Sequence, residues 1–74
     1  MISNYFRHVK TGGIYEVVAL ARVEATLEPV VVYRAVDPLT RLPKFPTPDH
    51  TFTRPDEEFR DGRFVQIRFD EEGR

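Results

Sequence analysis

The chain predicts a mostly-β fold, a small and strongly bent antiparallel sheet with one short helical turn. Three features predict it. Residues 14–23 alternate in polarity, residues 30–36 are dominated by β-branched and aromatic side chains, and Asp37–His50 carries four prolines that exclude a regular helix.

Residues 1–13 form a lead-in segment that ends in the turn signal Gly12-Gly13. From Ile14 to Val23 one parity (Tyr15, Val17, Ala19, Ala21, Val23) is wholly apolar, and the other (Ile14, Glu16, Val18, Leu20, Arg22) is mixed. No capping signal precedes the stretch, so strand is preferred over helix despite its alanines. Glu24–Pro29 connects to Val30-Val31-Val32-Tyr33-Arg34-Ala35-Val36, the strongest strand signal. The two strands should pair as an antiparallel hairpin. A register placing Val31, Tyr33 and Ala35 with Tyr15, Val17, Ala19 and Ala21 makes one face purely apolar. Glu16, Arg22 and Arg34 then share the other face with Val18, Leu20, Val30 and Val32.

The segment 37–50, with Pro38, Pro43, Pro46 and Pro48, reads as a long loop. Its prolines should deny it backbone pairing and make it the most mobile internal part of the chain, pinned at most by Leu42 and Phe45. Thr51-Phe52-Thr53 is a short strand. Pro55, followed by Asp56, Glu57 and Glu58, has the composition of a first helical turn, with Phe59 as its apolar anchor. Asp61-Gly62 is a tight turn. In Phe64–Phe69, Val65, Ile67 and Phe69 alternate with Gln66 and Arg68 as a last strand, and residues 70–74 form a frayed tail. So few short strands enclose a core best by curling into an SH3-like barrel, which also limits exposed edges.

A length of 74 residues accommodates one domain, spanning 1–74, with a thin core. The absence of cysteine excludes disulfides and cysteine-based zinc sites. No apolar run reaches signal-peptide or membrane-helix length, so a cytoplasmic protein without membrane contact is expected. The formal net charge of −1 disfavours a nucleic-acid binder held by phosphate contacts. The charge is uneven: the body to Arg54 is mildly basic, and acids dominate from Pro55 onward.

Catalytic chemistry has little to work with. Ser3 is the only serine, and His8 and His50 lie in or beside loops without the spacing of a metal pair. Asp56-Glu57-Glu58 suits the start of a helix better than a cation site. Gly12-Gly13 lacks the spacing and following helix of a phosphate loop. No catalytic residue, metal or cofactor is therefore expected.

Arginine is the residue suited to bidentate capture of carboxylate or phosphate. Arg22, Arg34 and Arg54, with Tyr33, form the candidate ligand-binding set. The competing structural role is a cross-strand pair of Glu16 with Arg34. If the arginines do form an anion face, Arg22→Ala with Arg34→Ala weakens ligand binding and spares the fold.

Several segments resemble, in order, a small bacterial and phage family known as domain of unknown function 1653. Lys10-Thr11-Gly12-Gly13-Ile14-Tyr15-Glu16-Val17 is similar to its opening block. Ala21-Arg22, Thr26 and Val30-Val31-Val32-Tyr33-Arg34 are similar to its second, and Arg54-Pro55, Glu58-Phe59 and Asp61-Gly62-Arg63-Phe64 to its last. The resemblance runs from His8 to Phe64. The chain departs from the pattern at Val23, where members often carry histidine, and at Phe52, where many carry tryptophan. Its 37–50 loop is also longer. The resemblance implies a compact β domain and assigns no biochemical role.

The leading functional expectation is a non-enzymatic binding module that presents one face to a protein or an anionic ligand. The alternative is an accessory or structural protein, with a phage-related role among its options, that acts as a homo-oligomer and buries Val18, Leu20, Val30 and Val32 between copies.

Overall fold

The computed structural model describes residues 4–45, 47 and 50–68. Five strands form one antiparallel sheet: β1 (Tyr5–His8), β2 (Ile14–Arg22), β3 (Pro29–Ala35), β4 (Thr51–Pro55) and β5 (Phe64–Ile67). Their hydrogen-bonded order is β4-β3-β2-β1-β5. One helical turn, α1 (Asp56–Glu58), runs into a wide turn over Phe59–Arg63 that leads to β5. The mostly-β expectation with one short helix holds.

The lead-in segment is more than an approach. Tyr5–His8 is a strand between β2 and β5, with Phe6 opposite both Tyr15 and Gln66. Four residues are too few for alternation to announce a strand. The backbone turns back at Gly12, whose φ of +80° is readily adopted only by glycine. A Cβ at Gly13 would lie 3.1 Å from the Tyr15 ring.

The sheet is open. β4 and β5 are its edges, and among the described residues no β4–β5 ladder closes it into the expected barrel. It is nevertheless strongly bent. Three strand spacings separate β5 from β3, about 14 Å in a flat sheet. The rings of Phe64 on β5 and Tyr33 on β3 are nonetheless 5.5 Å apart. The sheet rolls around an aromatic core of Val31, Tyr33, Phe59 and Phe64, flanked by Phe6, Tyr15 and Val17. Phe59 stacks on Phe64 at 4.3 Å and meets Phe6 edge-on at 5.0 Å, so the turn after α1 supplies the plug. Such pairs add about 0.5–1.5 kcal/mol each beyond the area they bury.

The hairpin register holds over its first half only. Tyr15 faces Ala35 and Val17 faces Tyr33, as the apolar pattern requires, but the ladder shifts between Val17 and Ala19. Val18 is the extra residue of a β-bulge, and everything after it changes face. Leu20 now pairs with Val31 and Arg22 with Pro29, while Ala19 and Ala21 pair with Val32 and Val30. Arg22 is thereby carried to the face opposite Glu16 and Arg34. The bulge places Leu20 on the concave side in place of Ala19 and Ala21, although at 68% exposure it lies at the rim and adds little to the core.

The last strand has the opposite phase to that expected. Phe64 pairs with His8 and Gln66 with Phe6 on the concave side, leaving Val65 and Ile67 on the outer face. Gly62, at φ +104°, sets this phase by delivering Phe64 to the core. The strand ends at Ile67, and the tail expected at 70–74 lies outside the described residues.

The proline-rich segment does pair its backbone, at least as far as Lys44. Asp37 N–H donates to Leu42, Arg41 N–H to Asp37 and Lys44 N–H to Ala35. The Asp37 carboxylate accepts from the Leu39 and Thr40 N–H groups at 2.8 and 3.1 Å. An isolated bridge joins Val36 to Pro43, and Val36 is buried at 1% exposure. Prolines limit donors but leave carbonyls free, and an aspartate at the first turn position caps the rest.

Candidate functional site

The four residues singled out from sequence separate into three environments. Arg34 donates through Nε and Nη2 to one Glu16 oxygen, at 3.0 and 2.8 Å, and is spent in a cross-strand ion pair. Arg22 Nη1 donates to the Leu27 carbonyl at 2.9 Å. There it clamps the β2–β3 turn, where Leu27 holds a left-handed φ of +64° that costs about 1–2 kcal/mol without glycine. Arg22 and Arg34 therefore share no face and no partner.

Tyr33 and Arg54 do come together. Arg54 sits opposite Val31 in the ladder, which directs it to the concave side. Its Nε donates to the Tyr33 hydroxyl at 3.3 Å, and its guanidinium carbon lies 5.5 Å from the Phe64 ring centroid. Nη1 reaches Glu58 at a long 3.5 Å. Among the described residues Nη2 has no acceptor. The hydrogen bond to the Tyr33 oxygen pushes the Arg54 pKa up; partial burial opposes it, and Glu58 and Asp61 add to the rise. The guanidinium is thus permanently charged, held from behind and about a quarter exposed, at 27%.

Arg54 lines a cleft of about 640 Å³ with His8, Val9, Lys10, Asp61, Gly62 and Arg63. Its walls are the turn after β1 and the turn before β5, tied together by Val9 N–H donating to Arg63 C=O at 2.9 Å. Asp61 holds Arg63 by accepting from its backbone N–H at 3.2 Å and from its Nε at 3.0 Å. His8 Nδ1 accepts from Thr11 N–H at 3.3 Å, and the ring rests edge-on against Phe64 at 4.9 Å. The sequence reading missed His8, Lys10 and Arg63 as partners of Arg54. The available signal was that Lys10 and the Asp61-Gly62-Arg63 turn belong to the two outer blocks of the family resemblance, which the fold brings to one place.

The two histidines have separate partners. His8 is bonded to Thr11, whereas His50 Nδ1 lies 2.7 Å from the Thr47 hydroxyl and the ring stacks on Phe45. Among the described residues no group of three or more histidines and carboxylates is placed to hold a metal ion. Nor is any helix among them long and apolar enough to cross a membrane.

The fold and the cleft define a small β domain with a partly charged recess at one end of a rolled sheet. The family described as "Protein of unknown function (DUF1653)" matches residues 4–71, and the chain belongs to it. No curated protein and no solved structure matches the chain.

Proposed function

We propose that this protein is a non-enzymatic binding module that grips an anionic group of its ligand or protein partner in the cleft around Arg54. One observation carries the reading: Arg54 is oriented by Tyr33, supported by Phe64 and left with Nη2 unused beside Lys10 and Arg63. A preoriented guanidinium loses less rotamer freedom on binding than a free one, which favours capture of a carboxylate or phosphate. The strand order, with a helical turn that joins β4 to β5 and sends Phe59 into the core, supports placing the domain among the SH3-like small barrels. Solution NMR of the protein titrated with acetate and with inorganic phosphate tests this. Saturable amide shifts at Val9, Lys10, Gly62 and Arg63, lost in Arg54→Gln, are expected; no saturable shift with either anion would remove the reading.

A second reading, a homo-oligomer, is favoured by the far half of the β2–β3 hairpin. Leu20 is 68% exposed and Leu27 64%, and Val18 and Val23 in the same hairpin are 41% and 40% exposed. Several large apolar side chains left exposed on one hairpin are what an interface between copies would cover. Sedimentation of the protein up to millimolar concentration decides it, and a monomer throughout removes it.

A further inference from the structure

The charge balance and size of the cleft narrow the ligand. Three cations line the cleft, the held Arg54 and Arg63 and the exposed Lys10, with two carboxylates: Glu58 at 3.5 Å from Arg54 and 3.7 Å from Arg63, and Asp61 at 3.0 Å from Arg63. Among the described residues one positive charge is left unanswered. A singly charged group matches it, whereas a phosphate dianion would bring a second negative charge against Glu58 and Asp61 with no cation to meet it. The volume of about 640 Å³ lies within the range of small-molecule sites and far exceeds a bare anion. Part of the wall is apolar: Val9 is 51% exposed there, next to the His8 ring.

We infer that the cleft takes a monocarboxylate bearing an apolar group beside the carboxylate. Such a group is found in a small organic acid or at a free peptide C-terminus ending in an apolar residue. The carboxylate bonds Arg54 Nη2 and Lys10, and the apolar group covers Val9 and the His8 ring. This inference rests on the anion-binding reading above and makes it specific.

The test compares three probes on the full chain by NMR titration at low salt: N-acetylleucine, its uncharged amide, and inorganic phosphate. N-acetylleucine should shift the Val9, Lys10, Gly62 and Arg63 amides saturably and bind about tenfold more tightly than phosphate, the scale of one charge-assisted bond. The amide should bind at least about tenfold more weakly than the acid. Arg54→Gln should cost about tenfold in N-acetylleucine affinity; because Arg54 also touches the core, Lys10→Gln, on an exposed side chain, is expected to weaken it as well with the spectrum otherwise unchanged. Phosphate binding as well as N-acetylleucine overturns the carboxylate assignment and leaves anion binding standing. Amide binding equal to acid, or no saturable shift with any probe, overturns both. A peptide with a free C-terminal leucine that binds more tightly than N-acetylleucine points to a protein terminus as the source, and equal affinity to a small acid; either supports the inference.

Discussion

Tyr33 carries two loads. Its ring lies 5.4–5.8 Å from those of Tyr15, Phe52, Phe59 and Phe64, and its hydroxyl orients Arg54. Truncation to alanine empties the centre of a thin core, and Tyr33→Ala should cost about 3–5 kcal/mol. That approaches the whole stability of a small domain, so the variant should be largely unfolded at room temperature by near-UV circular dichroism. Tyr33→Phe keeps the ring and loses only the hydroxyl, at about 1 kcal/mol by urea titration. Its larger effect should fall on anion binding, because Arg54 loses its guide. A Tyr33→Phe protein that binds N-acetylleucine normally would show that Phe64 and Glu58 suffice to orient Arg54. Neighbouring positions set the contrast: Arg34, one residue on, points to the other face and serves Glu16.

Two elements behave unlike a reading of their sequence, each for an identifiable reason. In β2, strict alternation assigns Ala19 and Ala21 to the core, but a bulge at Val18 costs one unpaired residue and brings Leu20 to the concave side. Alternation shows which residues share a parity; it cannot show where the chain skips a beat. The same skip separates Arg22 from Arg34, which is why the face on which they were expected to cooperate does not exist. Tyr33 and Arg54 were legible as candidates, while their partners were not, because the cleft joins segments more than forty residues apart in sequence. Arg22→Ala with Arg34→Ala should therefore lower stability by roughly 1–2 kcal/mol in total, from a turn clamp and a half-exposed ion pair. Binding of N-acetylleucine should be unchanged; a weakened affinity with intact stability would restore the arginine face. In the proline-rich segment, the paired amides of Asp37, Arg41 and Lys44 should exchange with deuterium more slowly than the exposed-loop limit. Exchange at the unprotected rate would mean that these bonds open freely.

At the scale of the molecule, the sheet is assembled from the middle outward. The β2–β3 hairpin is local and β4 adds to it, whereas β1 and β5 join residues from opposite ends of the chain, with Tyr5 opposite Ile67. Composition and alternation conveyed the β class and the tight bend. They could not convey β1 or the open order, since both depend on long-range pairing that no short window contains. The antiparallel β1–β5 ladder has a mechanical consequence. Its outer end, Tyr5 and Ile67, is where the chain leaves the sheet in both directions, so tension applied through the two termini pulls the strands apart like a zipper. Each ladder bond meets the load singly and not together. The domain should accordingly yield at low force in optical-tweezer pulling from its ends, and resist more when pulled through residues 5 and 64, where the same bonds are sheared in parallel. Equal forces in the two geometries would show that the aromatic plug, and not the ladder, is what resists extension.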